Sequence, residues 1–149
     1  MYVGIDPATS CGWAVIGPEG ARIASGAGKL ERRRGDGAGM LYVRFERLFR
    51  ELLDSYAVTM VAYEQQANRF AGSAHVGLGI MAHLQRICEE KSVPYSGVAF
   101  STVKKVATGN GNAKKNMMVI AAEAKWGAVS GDDEADALFI AETARQGLA

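Results

Sequence analysis

At 149 residues, with 48% hydrophobic and 22% charged side chains, the chain has room for one well-buried core and lacks the composition of a disordered segment. Its 17 basic residues nearly cancel its 16 acidic ones, leaving a formal charge of +1, so a polyanion partner would have to be recognised through the distribution of charge rather than its sum. No apolar run approaches the roughly 20 residues of a membrane span, and the first residues carry no secretory signal, so no membrane role and a cytoplasmic setting are expected. Cys11 and Cys88 are too few and too far apart for a thiolate metal site or a disulfide framework.

"MYVGID" reads as a strand, "GWAVIG" as a second and "ARIASGAGKL" as a third, joined by the short turns "PATSC" and "PEG". The chain therefore opens on an antiparallel meander. A charged, glycine-rich loop, "ERRRGDGAG", follows it. Between Met40 and Tyr56, the spacing of Leu41, Phe45, Leu48, Leu52 and Tyr56 predicts an amphipathic helix, with Glu46 and Arg50 paired on its wet side. "VTMVAYE" is an apolar run suited to a strand covered on both faces, and like the first strand it ends in an acid, Glu64. A second helix is expected from about Ser73 to Lys91, burying Val76, Ile80, Leu84, Ile87 and Cys88, and its Gly77 and Gly79 call for close packing against another element. "VPYSGV" is a short strand and "FSTVKKVAT" a short helix. "AKKNMMVIAAEAKW" is a further helix with Asn112 as N-cap and Gly127 as its stop. The last helix runs from about Asp133 to Arg145. Three antiparallel strands followed by strands alternating with helices predict a single α/β domain over residues 1–149, a five-stranded mixed sheet with helices on its faces.

Asp6 and Glu64 each sit where an apolar strand ends; if those strands are neighbours, the two carboxylates emerge side by side. "SGDDEADAL" supplies more acids. Asp133 and Asp136 are three apart and share a helix face, and Asp132 is compatible with Asp136 at spacing four. Acids in a first helical turn suit the helix dipole, which explains part of this cluster without any ligand. Four converging carboxylates, with no His or Cys at ligand spacing, otherwise call for a hard cation such as Mg²⁺ or Mn²⁺. A pair of such ions about 4 Å apart can activate water and hold a phosphodiester.

Four stretches, "GIDPATSCGWAVI", "VAYEQ", "VKKVATGNGNAKK" and "DEADALFIA", occur in the order in which the RuvC family of Holliday junction resolvases carries its motifs, and the chain resembles that family from residue 2 to about 145. Ala8 stands where many members have glycine. The resemblance implies an RNase H-like fold and a structure-selective DNA endonuclease. Such an enzyme would hydrolyse phosphodiesters of four-way or related branched DNA to 5′-phosphate and 3′-hydroxyl ends. It also implies Asp6, Glu64, Asp133 and Asp136 as catalytic metal ligands for two Mg²⁺ ions, with Mn²⁺ as substitute, and a homodimer making paired cuts. Lys115 is implied beside the scissile phosphate and Lys104 in DNA positioning. The compact length suggests a bacteriophage-type relative, working in a bacterial or host cytoplasm, whose selectivity extends beyond four-way junctions.

Phe100 to Met118 carries Lys104, Lys105, Lys114 and Lys115 and no acid, so all four are candidate DNA contacts, although a solvated helix face is the simpler reading of Lys105 and Lys114. Arg69 and Phe70 follow the Glu64 motif; Phe70 either stacks on an opened base or anchors the next helix. Arg32, Arg33 and Arg34 are either solvated or grip a duplex arm. His75 and His83 read as surface or core residues rather than ligands. The glycine-bearing second helix is the expected dimer interface. Two other functions remain open at this point: an RNA-processing nuclease of the same superfamily, and an actin-like or sugar-kinase-type ATPase, which also opens with a strand, an Asp and a hydroxyl-rich turn.

Overall fold

The computed structural model describes residues 1–65 and 74–149. Its elements are β1 (Tyr2–Asp6), β2 (Ser10–Ile16), β3 (Arg22–Lys29), α1 (Met40–Ser55), β4 (Met60–Glu64), α2 (Ala74–Lys91), β5 (Tyr95–Val98), α3 (Phe100–Thr108), α4 (Lys115–Trp126) and α5 (Asp132–Arg145). The expected five-stranded mixed sheet is present, in the order β3-β2-β1-β4-β5. β1, β2 and β3 pair antiparallel, as tight turns require, while β4 and β5 join in parallel through the helical crossovers α1 and α2. Register decides what meets at the edge of the sheet. Asp6 lies opposite Gly12, Ser10 opposite Lys29, Ile5 opposite Tyr63, and Glu64 opposite Val98. One rim of the sheet thus collects the ends of β1, β3, β4 and β5 and the start of β2.

Each face is covered by helices. On one side Val3, Ile5, Val15, Val61 and Tyr63 pack under α1 and α2; on the other Ala14, Ile16, Ala62 and Val98 pack under α3, α4 and α5. α1 buries Leu41, Phe45, Phe49, Leu52 and Leu53, with the rings of Phe45 and Phe49 stacked 5.4 Å apart. Phe49 therefore takes the core position expected of Leu48, which is half-buried. The two choices differ by one residue, 100° of helix, and the larger ring wins the sheet side. Glu46 and Arg50 pair at 3.9 Å as expected. Glu46 also accepts from Arg86 and His83 of α2, tying the two helices together outside the core.

One expectation is corrected. Asn112 is not the N-cap of α4; the helix begins after Lys114, because Asn110 folds the "GNGN" turn on itself, its Oδ1 accepting from the Asn112 N–H at 2.9 Å. Gly127 ends the helix in a positive-φ conformation, as read. The close packing expected at Gly79 is met within the chain: a Cβ there would collide with the ring and hydroxyl of Tyr42 of α1. The expected start of α2 at Ser73 lies outside the described residues, as do Arg69 and Phe70.

α5 is the element that completes the rim. Residues 134–144 are buried throughout, which a helix achieves only by crossing the middle of the sheet. Ala135, Ala137, Ala141 and Ala144 keep that face thin. Gly4 and Gly12 remove the opposing side chains: a Cβ at Gly4 would strike the Ala137 carbonyl, and one at Gly12 the Asp133 carbonyl. Among the described residues no helix is long and apolar enough to cross a membrane.

Candidate active site

Asp6 ends β1 and Glu64 ends β4, and because these strands are parallel neighbours their carboxyl groups come within hydrogen-bonding reach of each other. α5 starts above them. Asp133 and Asp136 are one helical turn apart, and both are close enough for their charges to bear on Asp6. The four acids expected to converge do so. Glu64, Asp132 and Asp133 are partly exposed, while Asp6 is 8% and Asp136 5% exposed.

Burial and crowding have the expected electrostatic cost. Burial first, then the charges of Glu64, Asp136 and Asp133, hold the Asp6 carboxyl well above the ordinary carboxylate range. Burial, Glu64 and Asp132 push Asp136 up to about 7, with Lys115 pulling the other way. Among the described residues, Asp136 Oδ1 is the buried side-chain oxygen that lacks a hydrogen-bond partner. A buried carboxylate oxygen without a donor is costly unless a ligand satisfies it. No group of three or more His, Cys, Asp or Glu among the described residues is arranged to hold a metal ion as it stands. The donor chemistry nonetheless fits a hard cation: oxygen ligands only, an orphaned oxygen among them, and mutual repulsion that a cation would relieve.

Two neighbours shape the cluster. The Ser10 hydroxyl donates to Asp133 Oδ2 at 2.7 Å and fixes that carboxylate against the start of β2. Ser10 escaped the sequence reading; its signal was a hydroxyl residue in the turn directly after Asp6. Lys115 Nζ lies 2.7 Å from Asp132 Oδ2, with the lysine side chain 81% exposed. The expected cation thus stands at the rim, but held by Asp132, which is not one of the four acids expected as ligands. The Asp132 carboxylate raises the Lys115 pKa, and Lys115 lowers that of Asp132.

Lys104 and Lys114 lie on helices that start near this rim, whereas Lys105 faces Gln146 and Leu148 beyond the far end of α5. α3 springs from the end of β5, beside Glu64, where the Gln65 N–H donates to the Val98 carbonyl. On α3, Lys104 Nζ sits 4.8 Å above the Phe100 ring, which holds it across the helix surface, and Lys105 is exposed. Lys114 is exposed at the N-cap of α4, one residue before Lys115. His83 bonds Glu46 and stacks on Tyr42, so it is a packing residue, and Cys11 is fully buried beneath the rim.

Residues 2–144 match the family model described as crossover junction endodeoxyribonuclease RuvC. Among solved structures, Thermus thermophilus RuvC in complex with a Holliday junction substrate shares the fold with a TM-score of 0.81 and 24% identity, over 99% of this chain and 96% of that one. A second Thermus thermophilus RuvC structure gives 0.75 at 24% identity, over 99% and 96%. The yeast mitochondrial Holliday junction resolvase Ydc2 gives 0.59 at 17%, over 97% and 78%. At these identities the solved structures speak for the RNase H-like fold alone. No curated protein matches the sequence.

Proposed function

The chain belongs to the RuvC family of crossover junction endodeoxyribonucleases, and we propose that the carboxylate rim is where it hydrolyses phosphodiesters of four-way and related branched DNA, leaving 5′-phosphate and 3′-hydroxyl ends. The observation that supports this site most directly is the convergence of Asp6, Glu64, Asp133 and Asp136 from three elements far apart in sequence, with Asp136 Oδ1 buried and without a partner among the described residues. The family match extends over nearly the whole chain and favours the nuclease over an actin-like ATPase.

Nucleases of this family depend on divalent metal ions, and in this proposal Asp6, Glu64, Asp133 and Asp136 hold two Mg²⁺, replaceable by Mn²⁺. When bound there, the ions supply Lewis acidity to the attacked phosphate and lower the pKa of the attacking water. The chain's own contributions are positional and electrostatic. Asp6 and Glu64, on adjacent parallel strands, cannot drift apart without breaking the sheet. Ser10 keeps Asp133 from rotating out of the cluster. Lys115, once released from Asp132, can reach a phosphate oxygen and offset charge developing there, while Lys104 and Lys114 hold neighbouring phosphates. Phe70 and Arg69 follow the Glu64 strand in sequence and are proposed as stacking and phosphate contacts at the branch.

Resolving a four-way junction takes two symmetric cuts, so we propose a homodimer of single-domain subunits, acting where the DNA is, in a bacterial cytoplasm. A cleavage assay on four-way, three-way and linear duplexes tests the reading. The unmodified chain should nick the four-way substrate symmetrically with Mg²⁺ or Mn²⁺ and not with chelator, and Asp6→Asn should bind that junction without cutting it. Cleavage by Asp6→Asn at the unmodified rate would refute the site.

A further inference from the structure

The β3–α1 loop carries the densest run of positive charge in the chain, Arg32, Arg33 and Arg34, with Lys29 just before it on β3. Its place in the fold is fixed by the sheet. Lys29 lies opposite Ser10, whose hydroxyl holds Asp133, and the Leu30 N–H donates at 2.8 Å to the carbonyl of Thr9 in the turn that follows Asp6. The loop therefore leaves the sheet at the carboxylate rim, on the side opposite α3 and α4.

It is a built loop. Asp36 pairs with Arg44 of α1 at 2.7 Å, with both side chains mostly buried, and the same carboxylate accepts from the Arg33 N–H at 2.7 Å. Arg44 also donates to the Glu31 carbonyl, and Arg32 to the Asp36 carbonyl at 2.9 Å. Asp36 is consumed by this bracing. Lys29, Arg32, Arg33 and Arg34 are exposed, and among the described residues none pairs with a carboxylate.

The rest of the chain treats its cations differently. On the α1–α2 flank Arg50, Arg86 and Lys91 each pair with an acid, and against α5 Lys125 and Arg145 both hold Glu142. Among the described residues, the cations left without a carboxylate include Lys104 and Lys114 at one side of the rim and residues 29–34 at the other. A run of charge that was merely solvated would have no reason to be held stiffly at the site's edge.

From this placement we propose that Lys29, Arg32, Arg33 and Arg34 form a second DNA contact, which holds the backbone of one duplex arm away from the cut position. This rests on the nuclease reading of the rim. β3 stands two strands from β1, about 10 Å. At ~3.4 Å per nucleotide along one strand, the loop meets phosphates three or more nucleotides from the cleaved one. Bracing by Asp36 and Arg44 lowers the ordering cost of that contact.

The test compares Arg33→Gln/Arg34→Gln with the unmodified chain in Mg²⁺-free binding titrations on a four-way junction from low to moderate salt, with Lys29→Gln as an independent variant. Thermal melting establishes that each is folded. The slope of log K against log salt should fall by about 0.9 per lost phosphate contact, about 1.8 for the double variant, with affinity about tenfold weaker or more at moderate salt. Methylphosphonate linkages three to five nucleotides from the cut site should weaken the unmodified chain similarly and leave the double variant unaffected. Unchanged slopes in folded variants overturn the loop's role while leaving the nuclease reading intact. Failure of the unmodified chain to bind any junction overturns both.

Discussion

Asp132 and Asp133 are adjacent, equally acidic and both in the first turn of α5, yet the structure assigns them opposite consequences. Asp133 points to the cluster with Asp6 and is fixed by Ser10; Asp132 points to Lys115. In Asp133→Asn, one of four converging carboxylates loses its charge where charge must be placed for catalysis. Removing a single electrostatic element of that kind costs roughly 100–1000-fold in rate. In Asp132→Asn, an ion pair whose lysine is 81% exposed is lost, and with it a negative charge that bears on Asp136. Exposed pairs are worth about 0.2–1 kcal/mol, so releasing Lys115 changes the rate by at most about fivefold. The change should be upward, because a freed Lys115 is available to the phosphate. Single-turnover cleavage of a four-way junction at saturating protein and Mg²⁺ measures both variants directly. Added salt should shrink the Asp132→Asn effect by screening the pair in the unmodified chain, and should leave the Asp133→Asn defect in place. An Asp132→Asn variant as inactive as Asp133→Asn would refute the division and make Asp132 a member of the metal site.

Ser10→Ala removes a charge-assisted hydrogen bond on Asp133 worth about 1.5–3 kcal/mol, so the cleavage rate should fall about tenfold or more with junction affinity unchanged. Restored activity in Ser10→Thr would separate this positioning role from a general loss of fold. Gly12→Ala places a Cβ against the Asp133 carbonyl and must lift α5 from the sheet, costing about 1–3 kcal/mol in a chemical denaturation experiment and disabling cleavage. Burial raises the pKa of Glu142, but hydrogen bonds from Arg145, Lys125 and Gln146 outweigh it and take the carboxyl from 4.5 down to about 2. A depressed folded-state value means stability present above the unfolded pKa and lost as pH falls through the folded one. Denaturation at pH 7 and at pH 2 should therefore differ by about 3 kcal/mol on this account, a difference that Glu142→Gln abolishes.

The sheet, the acids at its strand ends and the helix that begins at "DDEAD" were legible in sequence because each rests on local pattern: alternation, an apolar run cut off by a carboxylate, acids one turn apart. What was not legible depends on contacts between distant segments. Leu48 and Phe49 both satisfy helical spacing, and only the space above the sheet selects Phe49. Asn112 carries the right chemistry for an N-cap, but Asn110 claims its N–H first. Gly79 asks for a close neighbour, but a missing side chain does not say which one uses the space; in the structure Tyr42, 37 positions earlier, does. The hydrogen bond from Ser10 to Asp133 spans 123 positions and has no sequence periodicity to announce it.

The first turns of α5 show why spacing could propose the site without identifying its members. Four acids occupy residues 132–136, and a helix turns each about 100° from the last. Glu134 is as buried as Asp136, but it faces β3. There Ser25 donates at 2.6 Å, the Ser130 N–H donates at 2.6 Å and Arg22 lies at 3.9 Å. Burial would raise its pKa; those donors overcome the burial and lower it. Asp136, at equal depth, faces other acids, keeps an oxygen without a donor and is pushed the other way. A structural acid is one whose surroundings have already supplied its counter-charge. By that criterion Glu134 and Glu142 are structural and Asp132 is held by Lys115. Asp6 and Asp136 are left as buried acids for which the described residues supply no paired counter-charge. That separation, rather than the number of acids in the segment, makes the rim a site for cations and phosphates.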